Sequence, residues 1–358
     1  SDSMRTLELG EVNPGFLLFA AVLLGTVLVG RFFCGWACHM GALQDLCGWI
    51  MRRAGLRPTV FHSRVLGYVP IGMALYMFIW PSFRRLVAEP ALGALFPGQA
   101  WLEPSPPFPG FHLALTSDRL WEGLPSAWVG VPFLLLCGFG TVYFLGARGL
   151  CRYACPYGGL ILQAERLAPG RIVVDPVRCD QCGLCTAACT AGVRVHDDVR
   201  LYGRVVDKNC VRSLDCVTVC PKQALRLGVA APSLFKGSPK EAPARRVYDL
   251  TLWEEGFALA VFLATFFIAR GLYGVVPMLL AGTVGVLAAF LAVTSWRLCK
   301  RGDVRFRGLQ LRAGGRLTGH GVAFLAAIIS GAALLTHSGV VRALLSVSYT
   351  HLRAHETK

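Results

Sequence analysis

The sequence predicts a polytopic α-helical membrane protein of about six spans, with one small α+β domain inserted between the third and the fourth. Three observations carry this. Of 358 residues, 54% are hydrophobic and only 16% charged, whereas soluble domains run nearer 25% charged. Six apolar stretches approach the ~20 residues that a bilayer crossing needs. One polar stretch, 149–230, holds the densest run of cysteines.

The expected spans are about Pro14–Phe33, Val65–Trp80, Ala127–Leu145, Leu250–Ile268, Leu272–Ser295 and Gly321–Val341. Basic residues between them alternate. Arg31–Arg64 holds five, Pro81–Ser126 three, Arg148–Arg246 sixteen, the next turn only Arg270, and Arg297–Arg316 seven. By the positive-inside rule this puts the N-terminus outside and the middle segment in the cytoplasm of a bacterial inner membrane. The excess of 36 Lys and Arg over 21 Asp and Glu therefore reads as loop charge, not as a nucleic-acid surface. The composition also excludes a disordered chain and a disulfide scaffold.

The domains follow. Residues 4–148 form a membrane region with three spans, 149–230 the inserted domain, 231–249 a Pro- and Gly-bearing linker, and 250–346 a second membrane region with three spans. The string from Val347 to Thr357 matches a translated sequencing adapter, so 347–358 is expected to be foreign, and the natural C-terminus missing. Ser1–Ser3 before Met4 has the same look of an addition.

Within the inserted domain, Cys179, Cys182, Cys185 and Cys189 follow C-x2-C-x2-C-x3-C, the spacing of bacterial ferredoxin cluster ligands. Three cysteines on a tight loop wrap one cubane, and the fourth, at the start of a short helix, points to the other. Zinc sites instead pair C-x2-C with a distant second pair. The second run has Cys210, Cys216 and Cys220-Pro221 with Ser213 at the second ligand position. The crossover pattern gives one 4Fe–4S site from Cys179, Cys182, Cys185 and Cys220. The other takes Cys189, Cys210 and Cys216, with Ser213 at the fourth corner and Asp215 a lesser candidate. A hydroxyl is a harder, weaker ligand than thiolate, so this site is expected to hold 3Fe–4S, or 4Fe–4S with one labile iron. A single-codon sequencing error at Ser213 is the alternative.

Two C-x3-C pairs lie outside these runs. Cys34 and Cys38 follow the first span, Cys151 and Cys155 the third. Thiols at i and i+4 on a helical turn face one way, and both pairs fall at one membrane level. Together they make a candidate four-thiolate site for iron–sulfur, copper or a redox dithiol. Cys47, Cys137 and Cys299 stand alone, and Cys137, in mid-span, reads as packing. His320 and His337 lie on one span without partner histidines, which argues against haem. Glu254 and Glu255, at the start of the fourth span, are expected to be solvated.

Arg31–Cys38 with Gly41–Asp45, Cys151–Gly158 and the two cysteine runs resemble the membrane polyferredoxin family. That family includes the quinol-dehydrogenase membrane subunit of periplasmic nitrate reductase, the nitrous-oxide-reductase regulatory membrane protein and a copper-reducing oxidase-assembly protein. The resemblance covers about residues 31–227 and implies an electron path at the cytoplasmic face, with a quinol site. His39 and Thr190 stand where the family has proline, and Ser213 where it has a ligand. No flavin-binding region precedes the first span. The expected function is a membrane-bound iron–sulfur relay from a membrane quinol or cytoplasmic donor to a partner redox protein, without substrate chemistry of its own. A copper reductase or assembly factor, and a redox-sensing regulatory protein, are the alternatives.

Overall fold

The computed structural model describes residues 6, 10–56, 58–95, 108–114, 126–235, 248–270, 276–300, 302–306 and 309–356. The first apolar helix, α1 (Pro14–Val29), starts cleanly. Asn13 Oδ1 accepts from Phe16 N–H at 2.9 Å, and Pro14 sits at the first turn, where its missing N–H is harmless. It stops at Gly30, whose φ of +91° no side-chain-bearing residue adopts readily. Its 16 residues rise about 24 Å, short of the ~30 Å apolar layer. Two helices follow, α2 (Phe32–Trp36) and α3 (His39–Arg53).

The second apolar stretch bends. One 3-10 turn, Leu66–Tyr68, leads into α4 (Val69–Phe78), which continues into a further helical segment, Trp80–Leu95, at 48°. Pro81 lies just past the bend and cannot donate to the preceding turn. A third apolar helix, α5 (Ala127–Leu145), carries Pro132 and a π turn over Leu135–Gly140.

After the inserted region come α12 (Leu252–Arg270), α13 (Met278–Cys299) and α14 (Gly319–Glu356), the last running on through the adapter-like residues. Between them α6 (Gly149–Tyr153), α7 (Pro156–Ala164), β1 (Gly170–Val174), α8 (Leu184–Ala187), α9 (Val195–Tyr202), α10 (Asp215–Thr218) and β2 (Leu225–Val229) build the cysteine-rich region. A one-turn 3-10 helix, α11 (Ser233–Phe235), closes it. Past α13, the strands Val304–Phe306, Leu309–Ala313 and Arg316–Leu317 make a small antiparallel sheet.

Among the described residues, four helices are long and apolar enough to cross a membrane: Ala127–Leu145, Leu252–Arg270, Met278–Cys299 and Gly319–Val341. The bent Leu66–Phe78 and Trp80–Leu95 pair makes a fifth if it is one span. Of the six expected, the first is thus a short helix and the second a bent one. The linker residues 236–247 lie outside the described residues.

Phe61, Leu66, Met73, Tyr153, Phe262, Phe266 and Val286 share one core that ties α4 and α6 to the α12–α13 pair. The inserted region has its own. Strands β1 and β2, from its two ends, pair antiparallel from Gly170↔Val229 to Val174↔Leu225. Beneath them Ile172, Val193, Val199, Val205 and Leu225 pack with Cys34, Cys210 and Cys216. That last group already joins the first C-x3-C segment to the second cysteine run.

Glu254 and Glu255 are not solvated. Glu255, 1% exposed, accepts from Ser63 Oγ at 2.5 Å and from the N–H groups of Arg64 and Val65 at 2.7 and 3.2 Å. Those N–H groups open a helix and have no partner inside it. Glu254 receives Arg297 Nε and Nη2, each at 2.7 Å, which fastens α12 to α13.

Candidate iron–sulfur centres

The two cysteine runs fold as one backbone motif used twice. In the first, Gln181 and Gly183 take φ of +58° and +77°; in the second, Arg212 and Leu214 take +53° and +67°. These left-handed residues flank Cys182 in one loop and Ser213 in the other, and curl each loop back on itself. Outside glycine the conformation costs about 1 kcal/mol or more, so Leu214 holds it only because the loop demands it. The match continues downstream. Gly192 and Gln223 have φ of +65° and +48°. The next N–H groups, of Val193 and Ala224, point at Cys189 Sγ and Cys220 Sγ at 3.4 and 3.3 Å. Such N–H groups stabilise a thiolate.

Cys179, Cys182, Cys185 and Cys220 line one open recess, with Leu184, Val199 and Leu225 among its walls. Cys182 is exposed at its lip. Four thiols round one recess are the donor set a cubane needs, one thiolate per iron corner. Cys189 does not line it; it lies in charge range of Cys216, as does Cys210. Nor does Cys189 begin a helix as expected: it follows the four-residue α8, and the next helix starts at Val195. Burial pushes the thiols of Cys210 and Cys216 up to about 12, so without iron this second group stays protonated. Among the described residues, no three His, Cys, Asp or Glu side chains converge on a single-ion site.

Near Ser213 the groups are oxygens. Ser213 Oγ donates to Asp215 Oδ2 at 2.6 Å, and Thr190 Oγ1 donates to the same oxygen at 2.9 Å.

The C-x3-C pairs also come together. Cys155 has Cys151, Cys34 and Cys38 as its charged neighbours, and Cys151 has Arg148, Cys34, Arg31 and Cys38. Burial pushes the Cys151 thiol up to about 12 and Cys155 higher still. The pairs do not ride on one helical turn each, as the spacing suggested. Cys34 lies in α2, and Cys38 caps the separate helix α3; Cys151 lies in α6, and Cys155 caps α7. The cause is a tight turn in which Cys38 N–H reaches Phe33 O and Cys155 N–H reaches Leu150 O, at 3.0 and 2.9 Å. The capping residue then turns extended, with ψ of 115° and 110°.

Two arginines complete this arrangement, and sequence reasoning missed them. Arg31 is 3% exposed and lies against Cys34 and Cys151, and among the described residues its Nε has no hydrogen-bond partner. Arg148, also 3% exposed, donates to Cys34 O at 2.6 Å and pairs with Asp45. Both stand three residues before the first cysteine of their pair, so an Arg-x2-Cys-x3-Cys repeat was there to be seen. Gln44 Oε1 accepts from Cys151 Sγ at 3.7 Å. Four neighbouring soft sulfur donors with two cations beside them are the chemistry that an anionic metal–thiolate centre would draw on.

The two regions touch. A Cβ on Gly35 would fall 2.4 Å from Val211 O, so the chains meet backbone to backbone. Trp36 Nε1 donates to Arg212 O at 3.0 Å. Arg212 in turn holds Glu165 with both Nη atoms, at 3.0 and 2.9 Å, while Arg171 Nη1 approaches Glu165 at 3.2 Å and Arg31 N–H donates to it at 3.0 Å.

Comparison with known proteins agrees with these centres. A family described as a 4Fe-4S binding domain matches residues 14–57, and a 4Fe-4S dicluster domain matches residues 171–221. The chain is 31% identical to Protein NirI of Paracoccus denitrificans over 229 residues, 61% of this chain and 30% of that protein. It is 24% identical to Ferredoxin-type protein NapH of Haemophilus influenzae over 213 residues, covering 57% and 64%. It is 26% identical to Methylamine utilization ferredoxin-type protein MauN of Methylobacillus flagellatus over 198 residues, covering 51% and 59%. The chain thus spans less than two thirds of each of these relatives. No solved structure matches it.

Proposed function

We propose that this chain, an iron–sulfur electron-transfer protein of the NapH, NirI and MauN type consistent with the membrane polyferredoxin family, relays single electrons between a membrane quinol and a partner redox protein. Its scaffold crosses the inner membrane six times, and residues 149–230 face the cytoplasm. Cys179, Cys182, Cys185 and Cys220 hold the first cluster. Cys189, Cys210 and Cys216 hold the second, with an oxygen donor from the Ser213–Asp215 segment as its fourth corner. Cys34, Cys38, Cys151 and Cys155 hold a third metal–sulfur centre beside the membrane.

The observation that supports this most is the direct contact of the Cys34–Trp36 segment with the Val211–Ser213 loop. Iron–sulfur clusters, when bound, supply one-electron chemistry at nearly fixed geometry. The protein's part is to place the thiols in line, keep water from Cys210, Cys216 and Cys34, and set charge around them. Glu165, Arg171, Arg212 and Arg31 form a buried array of three cations and one anion beside the second group of thiols. Added negative charge is favoured there. Cys182, exposed at the lip of the first recess, marks the side from which a soluble partner would exchange electrons. Loop charge supports the orientation: sixteen basic residues between Arg148 and Arg246.

The test uses the full chain, purified without air and returned to vesicles. A reduced quinone analogue should bleach the cluster absorbance, and Cys34→Ala should abolish that while leaving the two ferredoxin-type signals intact. No quinol-dependent reduction, with clusters present and reducible by dithionite, would overturn the quinol arm. Stoichiometric copper on the four membrane-side thiols, in place of iron and acid-labile sulfide, would move the protein to the copper-handling reading.

A further inference from the structure

Three of the positions at which the second cluster loop departs from the first meet at one carboxylate oxygen. Where the first loop has Cys182, Leu184 and, in the opposite lobe, Pro221 after Cys220, the repeat has Ser213, Asp215 and Thr190 after Cys189. The backbone is otherwise copied, left-handed residues included. Ser213 Oγ and Thr190 Oγ1 both donate to Asp215 Oδ2, at 2.6 and 2.9 Å, and lie 3.4 Å from each other. Nothing among the described residues donates to Asp215 Oδ1. The carboxylate lies within charge range of Cys189 Sγ, one of the three thiols of the second site.

We propose that Asp215, not Ser213, is the fourth ligand of the second cluster, and that Ser213 and Thr190 are positioning residues that aim its carboxylate at the corner iron. This rests on the cluster-binding reading above. A serine oxygen must lose its proton to bind iron strongly, and here that proton is committed to Asp215. With two hydroxyls holding Oδ2, Oδ1 is the oxygen left for metal. Such outer hydrogen bonds fix a ligand's orientation. Carboxylate oxygen is a hard donor in an otherwise soft sulfur set, so this corner iron binds more weakly than the other three. The site becomes a cluster with one exchangeable iron, and a small exogenous thiolate can compete for it.

The experiment counts iron and acid-labile sulfide and records Mössbauer and electron paramagnetic resonance spectra of the anaerobically purified full chain. Four variants are compared with wild type: Asp215→Leu, Ser213→Ala, Thr190→Val and the repeat-restoring Ser213→Cys/Asp215→Leu/Thr190→Pro. Asp215→Leu should lose one iron per chain and show a 3Fe–4S spectrum, with the first cluster unchanged. Ser213→Ala and Thr190→Val should keep that iron as isolated but release it at least tenfold faster under mild oxidant. The triple variant should hold it as firmly as the first cluster does, which also shows that the loop tolerates leucine. Full iron and a wild-type spectrum in Asp215→Leu would overturn the assignment. So would loss of the iron as isolated in Ser213→Ala while Asp215→Leu keeps it, since that makes serine the ligand. A wild-type chain without sulfide or iron would instead sink the relay reading itself, and the two failures are distinguishable.

Discussion

Replacing Glu165 by glutamine tests whether the array beneath the second cluster is held by charge. Glu165 is 0% exposed and meets Arg171 and Arg212, at 1% and 2%. Together with the Arg31 N–H, four donors converge on its two oxygens at 2.9 to 3.2 Å. The amide keeps the shape but removes the only anion in the array, leaving the guanidinium groups of Arg31, Arg171 and Arg212 buried without a counter-charge. Removing one partner of a buried pair costs about 3–5 kcal/mol. The retained amide oxygen puts Glu165→Gln near the lower figure, about 3 kcal/mol. At roughly 2 °C per kcal/mol for a large domain, the midpoint for loss of cluster absorbance in detergent should fall by about 6 °C. A double-mutant cycle with Arg212→Gln isolates the pair: the double variant should be less destabilised than the sum of the singles by about 2–3 kcal/mol. Additivity within about 0.5 kcal/mol, or a midpoint unchanged in Glu165→Gln, would show that the array is hydrated in solution and that the argument from burial is wrong.

Other expected outcomes follow from single contacts. Gly35→Ala puts a methyl against Val211 O, so it should slow reduction of the second cluster by quinol at least tenfold while iron content stays full; unchanged rates would remove this contact from the path. Gly30→Ala places its Cβ on the Arg212 guanidinium at a φ of +91°, and should cost at least as much stability as Glu165→Gln, read by the same melting curve. Glu255→Ala strips the cap from Ser63, Arg64 and Val65 and should cost about 3 kcal/mol, seen as faster proteolysis near Arg64 without change in the cluster spectra. Cys182→Ala should erase the first cluster's resonance signal and leave the second's, because Cys182 lies on the first recess alone; loss of both signals would mean that the loops fold only together.

The thiols that line the first recess could be anticipated from spacing because a binding loop is a local device. Cys179, Cys182 and Cys185 fall within seven residues and fix their own geometry, while the fourth, Cys220, arrives from the second run through the internal repeat. The apolar helices were legible for a similar reason, since crossing a membrane is a property of composition and length. Even so, length was misjudged at Pro14–Val29, where Gly30 ends the helix early, and at the bend near Pro81, which no hydropathy pattern reveals. Glu254 and Glu255 were misread as solvated, because their partners Ser63 and Arg297 are far away in sequence.

What only the tertiary structure decided is where things meet. Cys34 and Cys38 are separated from Cys151 and Cys155 by more than a hundred residues, and their convergence depends on how α3 packs on α5 and how α7 packs on α1 and α4. The placement of Glu165 between Arg171 and Arg212, and of Thr190 and Ser213 on a single oxygen of Asp215, depends on lobes related by the internal repeat closing on each other. Spacing along a chain specifies a loop; it does not specify which loops become neighbours, because that is settled by burial of apolar surface across the whole fold.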